Sequence, residues 1–152
     1  MAGAGALTLG NKLVEQLYTE AMVLADEARA YFDAATAEDR RDLPPSIQVG
    51  VACESLKLTT RLMQVIAWLM TQRAIAAGEI AADAADVASR QPGEAAESDP
   101  EVVARMPPRA QALVAQSLDL YARTLRLAAG QEREEPAHSP ARSLLQRLQR
   151  AF

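Results

Sequence analysis

The side chains that could do chemistry are few, and their spacing defeats it. His138 is the only histidine and Cys53 the only cysteine. A histidine base must stand within hydrogen-bond reach of the group it activates. His138 instead sits in a charged, proline-containing stretch, 131–140, which reads as a linker. With it goes any Glu-x-x-His metal pair on a helix. The acidic pairs Asp26–Glu27 and Asp83–Asp86 are the remaining candidates for a hard metal, but acids so placed belong to solvated helix faces. The glycines of 1–10 lack the strand and helix that a phosphate loop requires. Cys53 reads as a small buried residue at a helix start. Alone, it cannot form an intrachain disulfide, which fits a reducing compartment. No catalytic residue, metal or cofactor is expected, and no enzymatic activity.

What remains is contact chemistry, concentrated in residues 54–80. As a helix this stretch is apolar around most of its circumference. At 3.6 residues per turn, Glu54, Lys57, Arg61, Gln64 and Gln72 share one narrow polar stripe, and Trp68 falls in its middle. Two uses fit that tryptophan. It closes one end of the core or rests on the connection 79–105, or it is a dimer contact or binding hot spot, for which an aromatic with a polar edge is well suited. Arg61, Gln64, Trp68 and Gln72 are therefore the candidate contact residues of the helix. Arg142, Leu144, Leu145, Leu148 and Phe152 are those of a short basic amphipathic tail, marginal as an isolated helix.

These residues need helices to position them. Gly and Pro cluster in a few places and β-branched runs are absent, so the chain reads as all-α. Residues 1–10 read as a flexible leader. A first helix over about 11–38 starts at Asn11, a capable N-cap, and carries Leu13, Leu17, Leu24, Ala28 and Tyr31 near one face. Leu43-Pro44-Pro45 stops it. A second helix spans about 46–78, with Ser46 as N-cap and Gly78 as a left-handed stop closed by Ile80. Its ladder Val51, Leu58, Leu62, Val65, Leu69, Ala76 keeps heptad spacing and calls for a bundle neighbour.

A further short helical piece is expected over 80–90, then a mobile acidic connection over about 91–105. Pro107-Pro108 opens a third helix over about 107–129, with Val114, Leu118, Tyr121, Leu125 and Ala128 on its apolar face, Leu113, Leu120 and Leu127 alongside, and Gly130 as its stop. Residues 131–152 form a flexible linker and tail. The simplest fold is an antiparallel, up-down-up three-helix bundle within 11–130. Three helices leave a thin core, so the broad apolar surface of the middle one also predicts a homodimer.

The 152 residues suit one domain plus tails, and the formal net charge is −4. Residues 1–42 carry eight acidic and four basic side chains, and 78–106 carry seven and two. An acidic body argues against nucleic-acid binding, which needs a basic footprint. The longest apolar block, between Arg61 and Arg73, would rise only about 16 Å as a helix, too short to insert in a membrane. No secretory signal is visible, so a cytoplasmic location is expected.

Three segments resemble a known family. Leu17–Asp33, Leu58–Ile80 and Ser117–Leu127 are similar, in that order, to the three helices of the RcdA family, the regulators of CtrA degradation of alphaproteobacteria. The resemblance implies a dimeric three-helix bundle without catalytic activity that serves as an adaptor in regulated proteolysis. It implies ClpX and ClpP, the response regulator CpdR, the substrate CtrA and the cyclic-di-GMP-binding protein PopA as partners, with transient recruitment to a cell pole. The mechanism would be tethering, which needs two contact surfaces and no chemistry. The alternative is a helical dimeric scaffold or signalling protein unrelated to proteolysis.

Overall fold

The computed structural model describes residues 2–34, 41–81, 90–134 and 147–148, and among them all regular structure is helical. The helices of the described residues are α1 (Ala2–Ala34), α2 (Pro45–Ala76), α3 (Pro100–Ala104) and α4 (Pro108–Glu134). The three long ones each pack on the other two, giving a helical bundle.

Each boundary has a local cause. The first helix begins at Ala2 rather than at Asn11. Five of residues 2–9 are alanine or leucine, and these are strong helix formers that outweigh Gly3 and Gly5. Pro44 occupies the N-cap of α2 and Pro45 its first position, so Ser46 is not the cap. The missing proline N–H is one that a first turn leaves unpaired anyway. The end of α2 follows expectation. Gly78 has φ 76°, and the amides of Glu79 and Gly78 return to Ala74 O at 2.9 Å and Ile75 O at 3.1 Å. Ile80 nevertheless stays exposed, so the clasp it was expected to make is loose. α4 runs through Gly130 to Glu134 rather than stopping there.

The core lies along Val14, Leu17, Ala21, Leu24 and Ala28 of α1, and along Val51, Leu58, Leu62, Val65 and Leu69 of α2. The heptad ladder of α2 thus faces inward, except for Ala76 at its end. On α4 the buried line is Ala110, Leu113, Val114, Leu120 and Ala128, turned away from the expected Leu118, which is exposed. Gly50 is needed where α3 crosses α2, since a Cβ there would come within 2.9 Å of Val102 Cγ1.

The direction of the third long helix departs from an up-down-up bundle. α1 runs against α2: Glu15 in its first half pairs with Arg73 near the end of α2 at 2.8 Å, and Phe32 and Asp33 at its end line a groove with Ser55 and Thr59 in the first half of α2. It runs against α4 as well, with Glu20 paired to Arg123 and Glu27 to Arg109. α2 and α4 therefore point the same way: Arg61 meets Ser117, and Gln64 and Tyr121 both meet Gly93. Two neighbouring parallel helices need a connection that travels back along the bundle. Residues 92–99 are part of that connection and run along α2 and α4 without regular structure.

Candidate functional site

The polar stripe of α2 turns inward. Glu54 is 1% exposed, Arg61 1% and Trp68 3%, while Lys57, Gln64 and Gln72 are half-buried. Of the two uses open to Trp68 the burial matches the one in the core, whereas Arg61 is corrected from an exposed contact residue to a buried one. Trp68 belongs to the core, and Arg61 is covered by α4 and by the strap formed by residues 92–99. Lysine and arginine side chains are seldom fully buried without partners, and Arg61 is well partnered. Its Nη1 donates to Ser117 Oγ at 2.8 Å. Its Nη2 donates to Ala96 O at 3.1 Å and to Ser98 Oγ at 3.0 Å. Glu54 Oε1 accepts from the Asp99 amide at 2.8 Å and from Lys57 Nζ at 3.1 Å. Tyr121 OH donates to Gly93 O at 2.9 Å.

The electrostatics follow from this enclosure. Burial pushes the Glu54 carboxyl up, but hydrogen bonds from the Asp99 amide, Ser98 and Lys57, with the Lys57 charge, outweigh it and hold the group below its ordinary 4.5. Burial lowers the Arg61 guanidinium, and the charge of Glu54 opposes that shift. The guanidinium keeps its proton throughout.

The connection expected to be mobile over about 91–105 is thus pinned. Pro92 is buried, and Asp99 caps α3 by accepting from the Glu101 amide at 3.0 Å. Sequence reasoning missed this because the bonds join residues dozens of positions apart. The one local signal was the stripe itself, in which an arginine, a glutamate and a tryptophan share a face with no charged ring around them.

The open surface of α2 is on its other side. Val49, Leu56, Met63 and Met70 are 64%, 67%, 65% and 53% exposed. They are seven residues apart and so lie along one line. Cys53 and Ala67 are exposed on the same side, which corrects the reading of Cys53 as buried. A groove of about 620 Å³ between α1 and α2 opens beside this line, lined by Phe32, Ser55, Met63 and Ile66 among others. An apolar line of this length on a surface marks an interaction site. Its spacing was legible, but the inward ladder drew the attention. Of the tail candidates, Leu148 is exposed, and Arg142, Leu144, Leu145 and Phe152 lie outside the described residues, as does most of the expected helical piece over 80–90.

Among the described residues no three His, Cys, Asp or Glu side chains gather as metal ligands, and no helix is long and apolar enough to cross a membrane.

Residues 7–152 match a protein-family model described as a protein of unknown function, DUF1465. No curated protein matches the chain. Among solved structures, the crystal structure of RcdA from Caulobacter crescentus CB15 is 35% identical, with a TM-score of 0.64. The match covers 84% of this chain and 95% of that one.

Proposed function

We infer that this chain, which belongs to the RcdA family of regulators of CtrA degradation, is a non-enzymatic adaptor of regulated proteolysis. It holds substrates such as the cell-cycle regulator CtrA close to the ClpXP protease, with CpdR priming the protease and PopA able to lengthen the chain of adaptors. The observation that carries this reading is a similarity to RcdA running over nearly the whole of that chain. The physical requirement is modest: two contact surfaces on one molecule raise the local concentration of a substrate to about the mM range through short links.

The outer line of α2 supports one of those surfaces. Val49, Leu56, Met63 and Met70 suit a second copy of the chain, because a heptad-spaced apolar line is complementary to itself about a two-fold axis. Methionine adds adaptability, which suits a face that exchanges partners. The tail of residues 139–152, with Arg142, Leu144, Leu145, Leu148 and Phe152, serves as a second surface. The protein works in the cytoplasm, with transient recruitment to a cell pole.

The test is the decay of CtrA after synthesis is blocked, compared between a strain carrying the gene and a deletion strain. Slower decay in the deletion is expected. Unchanged decay of CtrA and of every other candidate substrate would reject the adaptor role.

A further inference from the structure

Residues 92–99 cross the bundle without helical structure, from the level of Gln64 to that of Glu54, and they are held as a peptide is held on a receptor. Among the described residues, no backbone-to-backbone hydrogen bond ties residues 92–98 to a helix. Side chains of α2 and α4 do the holding. Arg61 takes the Ala96 carbonyl and the Ser98 hydroxyl, Glu54 takes the Asp99 amide, and Tyr121 takes the Gly93 carbonyl. Gln64 packs so closely on Gly93 that a Cβ there would sit 2.2 Å from its Oε1.

We propose that the trough between α2 and α4 is a peptide-binding site, occupied in this state by the chain's own strap. The partner it fits is an extended segment of small residues with a hydroxyl placed five residues after a glycine, as in Gly93-Glu-Ala-Ala-Glu-Ser98. The adaptor reading supplies only the source of such a segment, a protein to be delivered.

Three features carry the proposal. The trough reads main-chain groups at three places and a side chain at one, so it tolerates sequence while demanding an extended backbone. Its buried cation, Arg61, needs acceptors from its occupant, and the strap supplies the Ala96 carbonyl and the Ser98 hydroxyl. The strap also leaves the site incompletely used. Its register places Asp99 beside Glu54, residues 96 and 98 beside Arg61 and Gly93 beside Gln64, so the next step falls level with Trp68. There the indole Nε1 is buried with no acceptor. A competing segment with an acceptor at that level makes one bond that the strap does not.

An occupant joined to its own receptor competes as if at mM concentration, so a free peptide gains access only when the strap is weakened. The experiment uses the full chain carrying Ser98→Ala and Asp99→Pro. These remove the hydroxyl and the amide from the strap and leave Arg61, Glu54, Gln64 and Tyr121 of the trough untouched. The probe is a fluorescent synthetic peptide with the sequence of residues 91–101, followed by anisotropy and by the emission of Trp68, the only tryptophan. Cleavage at Glu94 and Glu97 by a glutamate-specific protease reports whether the strap has lifted.

The loosened chain should be cut faster within the strap and should bind the peptide about tenfold more tightly than the native chain does. A peptide with valine in place of the glycine and alanine in place of the serine should lose that gain, a control that leaves the folded protein unaltered. A loosened chain that is cut quickly but ignores the peptide overturns the proposal. So does one whose strap is cut no faster than in the native chain, because the segment is then a fixed part of the core. Neither result bears on the adaptor role, which rests on CtrA decay.

Discussion

The two sides of α2 invert the usual division of labour. The side bearing Glu54, Arg61 and Trp68 is charged and buried, whereas the side bearing Val49, Leu56, Met63 and Met70 is apolar and exposed. Polarity alone would assign them the other way round. What decides is connectivity. α4 is parallel to α2, the chain must return along the bundle to start it, and the returning backbone brings carbonyls, an amide and a hydroxyl that only polar side chains can satisfy. The inner side is polar because it faces backbone without secondary structure. The outer side is apolar and yet exposed, and among the described residues nothing covers it.

The comparison breaks most visibly at the inner side. Trp68→Ala removes a buried indole from the core and should cost about 3–5 kcal/mol of stability, read from urea denaturation. Arg61→Ala should cost a similar amount, about 3–5 kcal/mol, because Ser117, Ser98 and the Ala96 carbonyl lose their donor and the buried Glu54 loses a nearby positive charge. If either variant melts within about 0.5 kcal/mol of the native chain, the inner side is not structural.

Glu54 adds a pH dependence of definite sign. Its carboxyl is held below 4.5 in the folded chain, so the ionised form favours folding. That contribution is fully present above the unfolded value and is lost as pH falls through the lower folded value. Glu54→Gln should cost about 1–3 kcal/mol near neutral pH by weakening the bonds to Asp99 and Lys57. The gap between native and variant should narrow as pH drops below 4.5. A gap that stays constant down to acid unfolding would mean that Glu54 acts by shape alone.

The ion pairs that join α1 to its neighbours should matter less. The Glu20 side chain is 49% exposed and that of Arg123 34%, and Glu20→Ala should cost about 0.2–1 kcal/mol, less at high salt. This sharpens the contrast, since the same charge types differ severalfold in effect between the strap side and the α1 side.

Much of the fold was legible, for local reasons. Proline at the start of α2 and glycine at its end act on their own backbone, and the ladder Val51, Leu58, Leu62, Val65, Leu69 repeats within one helix. The direction of α4 was not legible. It depends on where residues 92–99 lie, and those are fixed by partners 28 to 45 positions away in the chain. The same gap misplaced the candidate site: a stripe of Glu54, Arg61 and Trp68 looks like a surface until the segment that buries it is known. The exposed line at 49, 56, 63 and 70 was available as a spacing, but the inward ladder on the same helix has the same period. Only packing tells one seven-residue repeat from the other.

That outer line gives the prediction with the smallest effect on the fold and the plainest effect on assembly. Leu56→Glu with Met63→Glu places two carboxylates on residues already about two-thirds exposed. Little apolar area is taken from the core, so the stability of the isolated chain should change by no more than about 0.5 kcal/mol. In a two-fold pairing through α2, however, each substitution appears twice and sets four negative charges in one apolar seam. Desolvating a charge without a partner is costly, so the pairing should fail. Sedimentation velocity should show the native chain at twice the mass of the double variant, while their helical circular dichroism coincides. Equal masses would mean that copies of the chain do not meet along α2, and the exposed methionines would then have to be explained by a different partner.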